Sequence, residues 1–211
     1  MFGVAIASSS PAVAARCAHA RAGVGAVASQ NITDPELGPR ILDLMAKATA
    51  APAALADTLS ATRFGAYRQV VVVAADGAPA VHSGAHSLGV AATAIGTDCA
   101  AAGNLLAKRE VPAAMVAAFE AADGHFGRRL LEGLLAGVKQ GGEAGPIHSA
   151  GLLIVREVKW PIVDLRVDWS EKNPVTELLA LWSRYQPQIE DYVQRALDPT
   201  RAPAFAVPGK P

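Results

Sequence analysis

The hydrophobic pattern of this chain switches between two periods. Short runs of small apolar residues, Gly3-Val4-Ala5-Ile6-Ala7 and Gly23-Val24-Gly25-Ala26-Val27-Ala28, predict strands over about 3–9 and 22–29. Thr33 or Asp34 then offers a helix cap, with Pro35 in the first turn and Ile41, Leu42, Met45 and Ala48 on one face. A shorter helix around Leu55 and Leu59 follows Pro52. Val70-Val71-Val72-Val73 and Ala78 to Val81 flank the turn signal Asp76-Gly77-Ala78-Pro79 and read as a hairpin. A further strand leads through Cys99 to Gly103.

Helical spacing returns at Val111, Met115 and Phe119 and again at Phe126, Leu130, Leu131, Leu134 and Val138, so each of these helices has one stripe to lay on a sheet. Leu152 to Val155 and Ile162 to Val167 form a second hairpin, the latter alternating Val163, Leu165 and Val167 with Asp164, Arg166 and Asp168. A closing helix is capped by Asn173, buries Val175, Leu178, Leu179 and Trp182, and breaks at Pro187. Strand hairpins and helices arriving in blocks predict an α+β fold, an α-β-β-α sandwich of two mainly antiparallel sheets. One domain over 1–198 carries a Pro-rich tail, 199–211, with the four prolines Pro199, Pro203, Pro208 and Pro211, expected to be disordered or pinned to a neighbour.

At 211 residues and 51% hydrophobic, the chain can bury a core without staples. Its 19 basic and 19 acidic residues cancel, and no basic run is longer than Arg128-Arg129, which argues against nucleic acid or a membrane surface as partner. Cys17 and Cys99 sit among small residues and read as free buried thiols, consistent with a reducing cytoplasm. Ala14-Ala15-Arg16-Cys17 fails as a lipoprotein signal, because Ser8-Ser9-Ser10-Pro11 interrupts the apolar run and Arg16 stands where a small residue is needed. A homodimer is the default assembly.

The chemistry gathers at strand ends. Ser8 and Ser9, then Ser29, Gln30 and Asn31, then Asn104 after Gly103, and His148-Ser149 ahead of Leu152 all place hydroxyls or amides where an apolar strand stops. Gln30 and Asn31 read equally as turn residues, Asn104 as a turn after Gly103, His148 as a rim residue without an orienting carboxylate, and Arg68 as a surface cation or a carboxylate binder. His82 and His86 have the spacing of a metal pair only on a helix, which Gly84 opposes, so no metal site is expected.

These blocks, in this order, resemble the bacterial family of domain of unknown function 1028, whose members look like N-terminal-nucleophile (Ntn) hydrolases. The resemblance is carried by Gly3 to Ser8, Arg21 to Gln30, Gly38-Pro39 with Leu42-Asp43-Leu44, Tyr67-Arg68-Gln69, Gly103 to Leu106, Ser149-Ala150 and Val163 to Asp168. It implies hydrolysis of an amide-type C–N bond in a small molecule, with no cofactor. It also implies a Thr-bearing strand ahead of Gly3, which is missing from this sequence: Met1 and Phe2 offer no nucleophile with its own α-amine as base. Edges left open there are expected to make this form poorly soluble unless a partner chain covers them. By the same resemblance Gln30 would stabilise the oxyanion, Asn104 and Ser149 would position the amine or a water, and Ser8, Ser9, Ser29, Asn31, Arg68 and His148 would line the site. The alternative is a non-catalytic small-molecule-binding or assembly protein that keeps the fold.

Overall fold

A computed structural model of the protein describes residues 1–202. Most of the expected Pro-rich tail therefore lies outside the described residues; Pro199–Arg201 forms a 3-10 turn whose Thr200 N–H donates to the Asp198 side chain.

The chain opens with strand β1 (Phe2–Ser8) and a one-turn helix α1 (Val13–Cys17), followed by β2 (Ala18–Arg21) and β3 (Gly25–Gln30). Helices α2 (Leu37–Met45) and α3 (Ala51–Ser60) precede the hairpin β4 (Gln69–Ala74) and β5 (Pro79–Ser83), then a second hairpin, β6 (Ala92–Gly96) and β7 (Cys99–Gly103). Helices α4 (Val111–Ala121) and α5 (Phe126–Gln140), strands β8 (Ser149–Val155) and β9 (Val163–Val167), and helices α6 (Pro174–Tyr185) and α7 (Ile189–Leu197) complete it. Antiparallel pairing gives sheets of order β1-β8-β9, β2-β3-β4-β5 and β6-β7.

The expected α+β class is what is seen. Asn173 caps α6 by accepting from the N–H groups of Val175 and Thr176, and Pro187 lies in the 3-10 turn that divides α6 from α7. Three local expectations change. The strand expected over about 22–29 begins later, because Gly23 turns the chain at φ +72° and lets β2 pair with β3. Helix α2 starts at Leu37 instead of at Pro35, since Asp34 accepts from the Glu36 N–H and holds a turn first. Ala48, expected on the buried face, lies past the end of α2 at φ +65° and is exposed. The short α1 and β2 and the exposed strand β6 escape a reading based on apolar periodicity.

Alternation along the strands sorts the side chains into packed interfaces. Val27, Val70 and Val72 meet Leu37, Ile41 and Leu55 of α2 and α3. Val4 and Ile6 of β1 face Val13, Cys17 and Ala26. Leu152, Ile154 and Val163 meet Leu131, Leu134, Leu178 and Trp182 of α5 and α6. The expectation of two sheets becomes three for a definite reason: among the described residues β1 pairs as a strand only with β8, and β7 only with β6, so β1 and β7 are not joined.

Candidate functional site: a slot between two sheet edges

Between β1 and β7 runs a cavity of about 500 Å³. Gly3 to Ser10 line it on one side and Cys99 to Leu106 on the other. Ala26, Ala28, Val71 and Val73 of the four-stranded sheet form one face; Met115, Phe119, Leu130 and Leu134 of α4 and α5 form the opposite one. Each flanking strand has one edge without a strand partner among the described residues, so every second residue there aims its N–H and C=O into the slot. Gly3, Ala5 and Ala7 of β1 and Ala100 to Gly103 of β7 put small side chains along these edges, beside the larger Val4 and Ile6.

One end of the slot is polar, and its core is a row of residues in register across three strands. Gln30 on β3 stands opposite Gln69 on β4, which stands opposite Ser83 on β5. Directly opposed residues share a face, and this face looks toward β7. Gln69 is fully buried and saturated: its Nε2 donates to Ser83 Oγ at 2.7 Å and to the Gly103 carbonyl at 3.0 Å, and its Oε1 accepts from Gln30 Nε2 at 2.8 Å and Asn104 Nδ2 at 3.3 Å. Gln30 Nε2 spends its second hydrogen on the Ala102 carbonyl at 3.2 Å. Among the described residues this leaves Gln30 Oε1, Asn104 Oδ1 and one Asn104 N–H available to a ligand.

Two more features complete that end. The Ser9 N–H lies 3.3 Å from each Glu143 carboxylate oxygen, and Ser8 Oγ accepts from the Ser10 N–H, closing a tight serine turn. Asn31, buried and at φ +54°, donates to the Tyr67 carbonyl and accepts from the Leu88 N–H at 2.9 Å.

The sequence-predicted residues thus divide. Gln30, Asn31, Asn104, Ser8 and Ser9 all line the slot. Ser29 is fully buried beside them, and its hydroxyl donates to the Asp34 carbonyl at 3.2 Å. Ser149 stands opposite Ser8 in β8 but does not line the slot; its hydroxyl donates to the Ser10 carbonyl at 2.6 Å and accepts from the Val13 N–H at 3.2 Å. It pins the serine turn from behind. His148 stacks on Trp169 with centroids 4.2 Å apart, and its Nδ1–H donates to the Ser170 carbonyl. Arg68 also lies outside the lining, its Nε buried without a hydrogen-bond partner among the described residues. His82 bonds the Gly65 carbonyl through Nε2, and His86 packs against Tyr67 with the rings tilted by 36°.

Both thiols are free and line the slot. Burial pushes the Cys17 thiol up, against an opposing hydrogen bond with Thr33; burial, then Glu120, does the same to Cys99. Neither is an activated nucleophile.

Sequence reasoning missed Gln69 and Glu143. Gln69 stands directly before the Val70 to Val73 run, and register alone makes it the partner of Gln30; the run gives no sign of which end is buried. Glu143 reaches the site from the loop after α5, for which local sequence holds no signal.

A family model described as "Family of unknown function (DUF1028)" matches residues 1–178. The chain belongs to this family. The crystal structure of a DUF1028-family protein from Silicibacter pomeroyi superposes with a TM-score of 0.86 at 26% identity, over 99% of this chain and 92% of that one. Curated proteins gave no match. Among the described residues no helix is long and apolar enough to cross a membrane.

Proposed function

We propose that this DUF1028 chain is the scaffold of an Ntn-type hydrolase for the amide-type C–N bond of a small molecule, and that the nucleophile arrives on an extended segment seated between β1 and β7. The observation that carries the reading is the slot itself: two unpaired strand edges facing one gap, which ends at the Gln30, Gln69 and Asn104 amides. A strand there satisfies the open backbone groups on both sides and brings its first residue to the polar end.

In this reading the terminal hydroxyl attacks the substrate carbonyl carbon while the α-amine of the same residue takes its proton and passes it to the leaving amine; water then cleaves the acyl-enzyme. The free oxygens Gln30 Oε1 and Asn104 Oδ1 hold that amine. Gln30 Nε2 is already committed, so the oxyanion falls to backbone N–H groups at the turn after β3, where those of Asn31 and Ile32 enter no hydrogen bond among the described residues. Ser149 acts as a positioning residue through Ser10 and Val13. No organic cofactor enters the reading, the site works within a soluble protein of the cytoplasm, and a homodimer is the assembly we favour.

The second reading, a non-catalytic binding protein, is favoured by the raised pKa of both thiols, which leaves these residues without an activated nucleophile of their own. One experiment separates the two. A longer chain, read from in-frame codons upstream of Met1 and exposing a terminal Thr, is expected to hydrolyse a panel of acyl p-nitroanilides, and to lose that activity when the Thr becomes Ala. An in-frame stop directly upstream, or activity indifferent to the Thr, contradicts the hydrolase reading.

A further inference from the structure

The mouth of the polar end carries three aliphatic side chains that a soluble surface would ordinarily hide. Ile32, Leu88 and Leu105 all line the cavity, yet are 53%, 42% and 38% exposed. Two of them stand on backbone that opposes their residue type: Ile32 has φ +40° and Leu105 φ +52°. A β-branched residue in the left-handed region is a conformational outlier, and such strain persists only where the surroundings enforce it.

Here they do. A chain of hydrogen bonds wires the rim together: the Leu88 N–H donates to Asn31 Oδ1 at 2.9 Å, the Leu105 N–H to the Leu88 carbonyl at 2.8 Å, and the Ala144 N–H to the Leu105 carbonyl at 2.7 Å. Gly89, at φ +60°, packs so closely that a Cβ there would lie 3.1 Å from Leu105 Cα. The rim is a frame hydrogen-bonded from Asn31 through Leu88 and Leu105 to Ala144, with Ile32 next in sequence, and it presents aliphatic surface to solvent at a conformational cost.

Resting on the hydrolase reading for its chemistry but not for its binding, we propose that Ile32, Leu88 and Leu105 are the specificity rim for a carboxamide bearing an aliphatic chain. The carboxamide matches groups just inside that the α-amine does not use: its carbonyl accepts from the Asn31 and Ile32 backbone N–H groups and from the remaining Asn104 N–H. Glu143 at the same end disfavours a carboxylate in its place. The chain then covers the three side chains, and the apolar area removed from water selects for length.

The test is binding, followed by NMR on the 211-residue protein with acetamide and hexanamide as probes. Hexanamide is expected to bind at least about tenfold more tightly, a discount on full burial of its four additional carbons. Ile32→Gly relieves the positive φ, so it is expected to raise the thermal midpoint while cutting the length preference below about threefold. Leu88→Ser, which leaves the backbone angles alone, is expected to weaken hexanamide and spare acetamide. Equal affinities, no binding of either probe, or an Ile32→Gly protein that keeps the preference would overturn the proposal. Failure of hydrolysis in the longer chain, with the length preference intact, would count against the hydrolase reading alone.

Discussion

Strand β4 faces two interiors that could hardly differ more. On one side Val70 and Val72 press against Leu37 and Ile41, all fully buried, and the interface is closed. On the other, Val71 and Val73 look into a cavity of about 500 Å³ flanked by β1 and β7 and closed on its far face by Met115, Phe119, Leu130 and Leu134. The same chain that packs one face to solid density leaves the other open along two strand edges. A helix closes a sheet face with side chains alone, whereas a gap between two edges needs backbone hydrogen bonds as well, and only another extended segment brings both.

The largest effect that would break this contrast comes from the closed side. Leu37→Ala is expected to cost about 2–5 kcal/mol in denaturant unfolding, whereas Val73→Ala, whose side chain borders empty space, is expected to cost less than about 1 kcal/mol. Equal losses would show that the slot is packed in solution. Gln69→Ala comes next. It strands Ser83 Oγ, the Gly103 carbonyl and the Asn104 amide at once, and a loss of about 1–3 kcal/mol is expected, with the Asn104 side-chain NMR signals broadened or shifted. No change would mean the amide hub is not what orders the polar end.

The smallest effect is one of pH. Burial holds the His19 imidazole below its ordinary value of 6.5, with its ring against Gly38. The unfolded chain therefore binds a proton at a pH where the folded one does not. Stability is full above about pH 6.5, the ordinary histidine value, and falls as the pH drops below it, levelling once the folded group also titrates. His125, lowered chiefly by burial as well, acts in the same direction. Replacing His19 by Gln is expected to flatten the curve between pH 7.5 and 5.5; an unchanged slope assigns it elsewhere.

How much of this was legible in the sequence follows from the range of the forces involved. Apolar patterning marked β1, the β4-β5 hairpin, α4, α5 and the β8-β9 hairpin: α4, α5 and β9 bury one regular face, whereas β4 and β8 are continuous apolar runs buried at nearly every residue. It missed β6, whose Thr93 and Ile95 face solvent, and α1 with β2, each shorter than its own period can reveal. Polar residues at strand ends named Gln30, Asn31, Asn104, Ser8 and Ser9 without naming what joins them. Gln69 became the hub through strand register, and Glu143 arrived through a loop that follows α5; both are tertiary facts. Ser149 was noticed for its place at a strand start, yet its hydroxyl faces the serine turn rather than the slot, a direction that local sequence does not encode.

The claim on which the account rests is that the space between β1 and β7 accepts an extended segment. Hydrogen–deuterium exchange on the 211-residue chain and on the longer chain tests it residue by residue. Alternate amides of Gly3–Ser8 and Cys99–Gly103, those turned away from β8 and β6, are expected to exchange quickly in the first and to become protected on both strands in the second. Protection already present in the shorter chain, or absent from one of the two edges in the longer one, would contradict it.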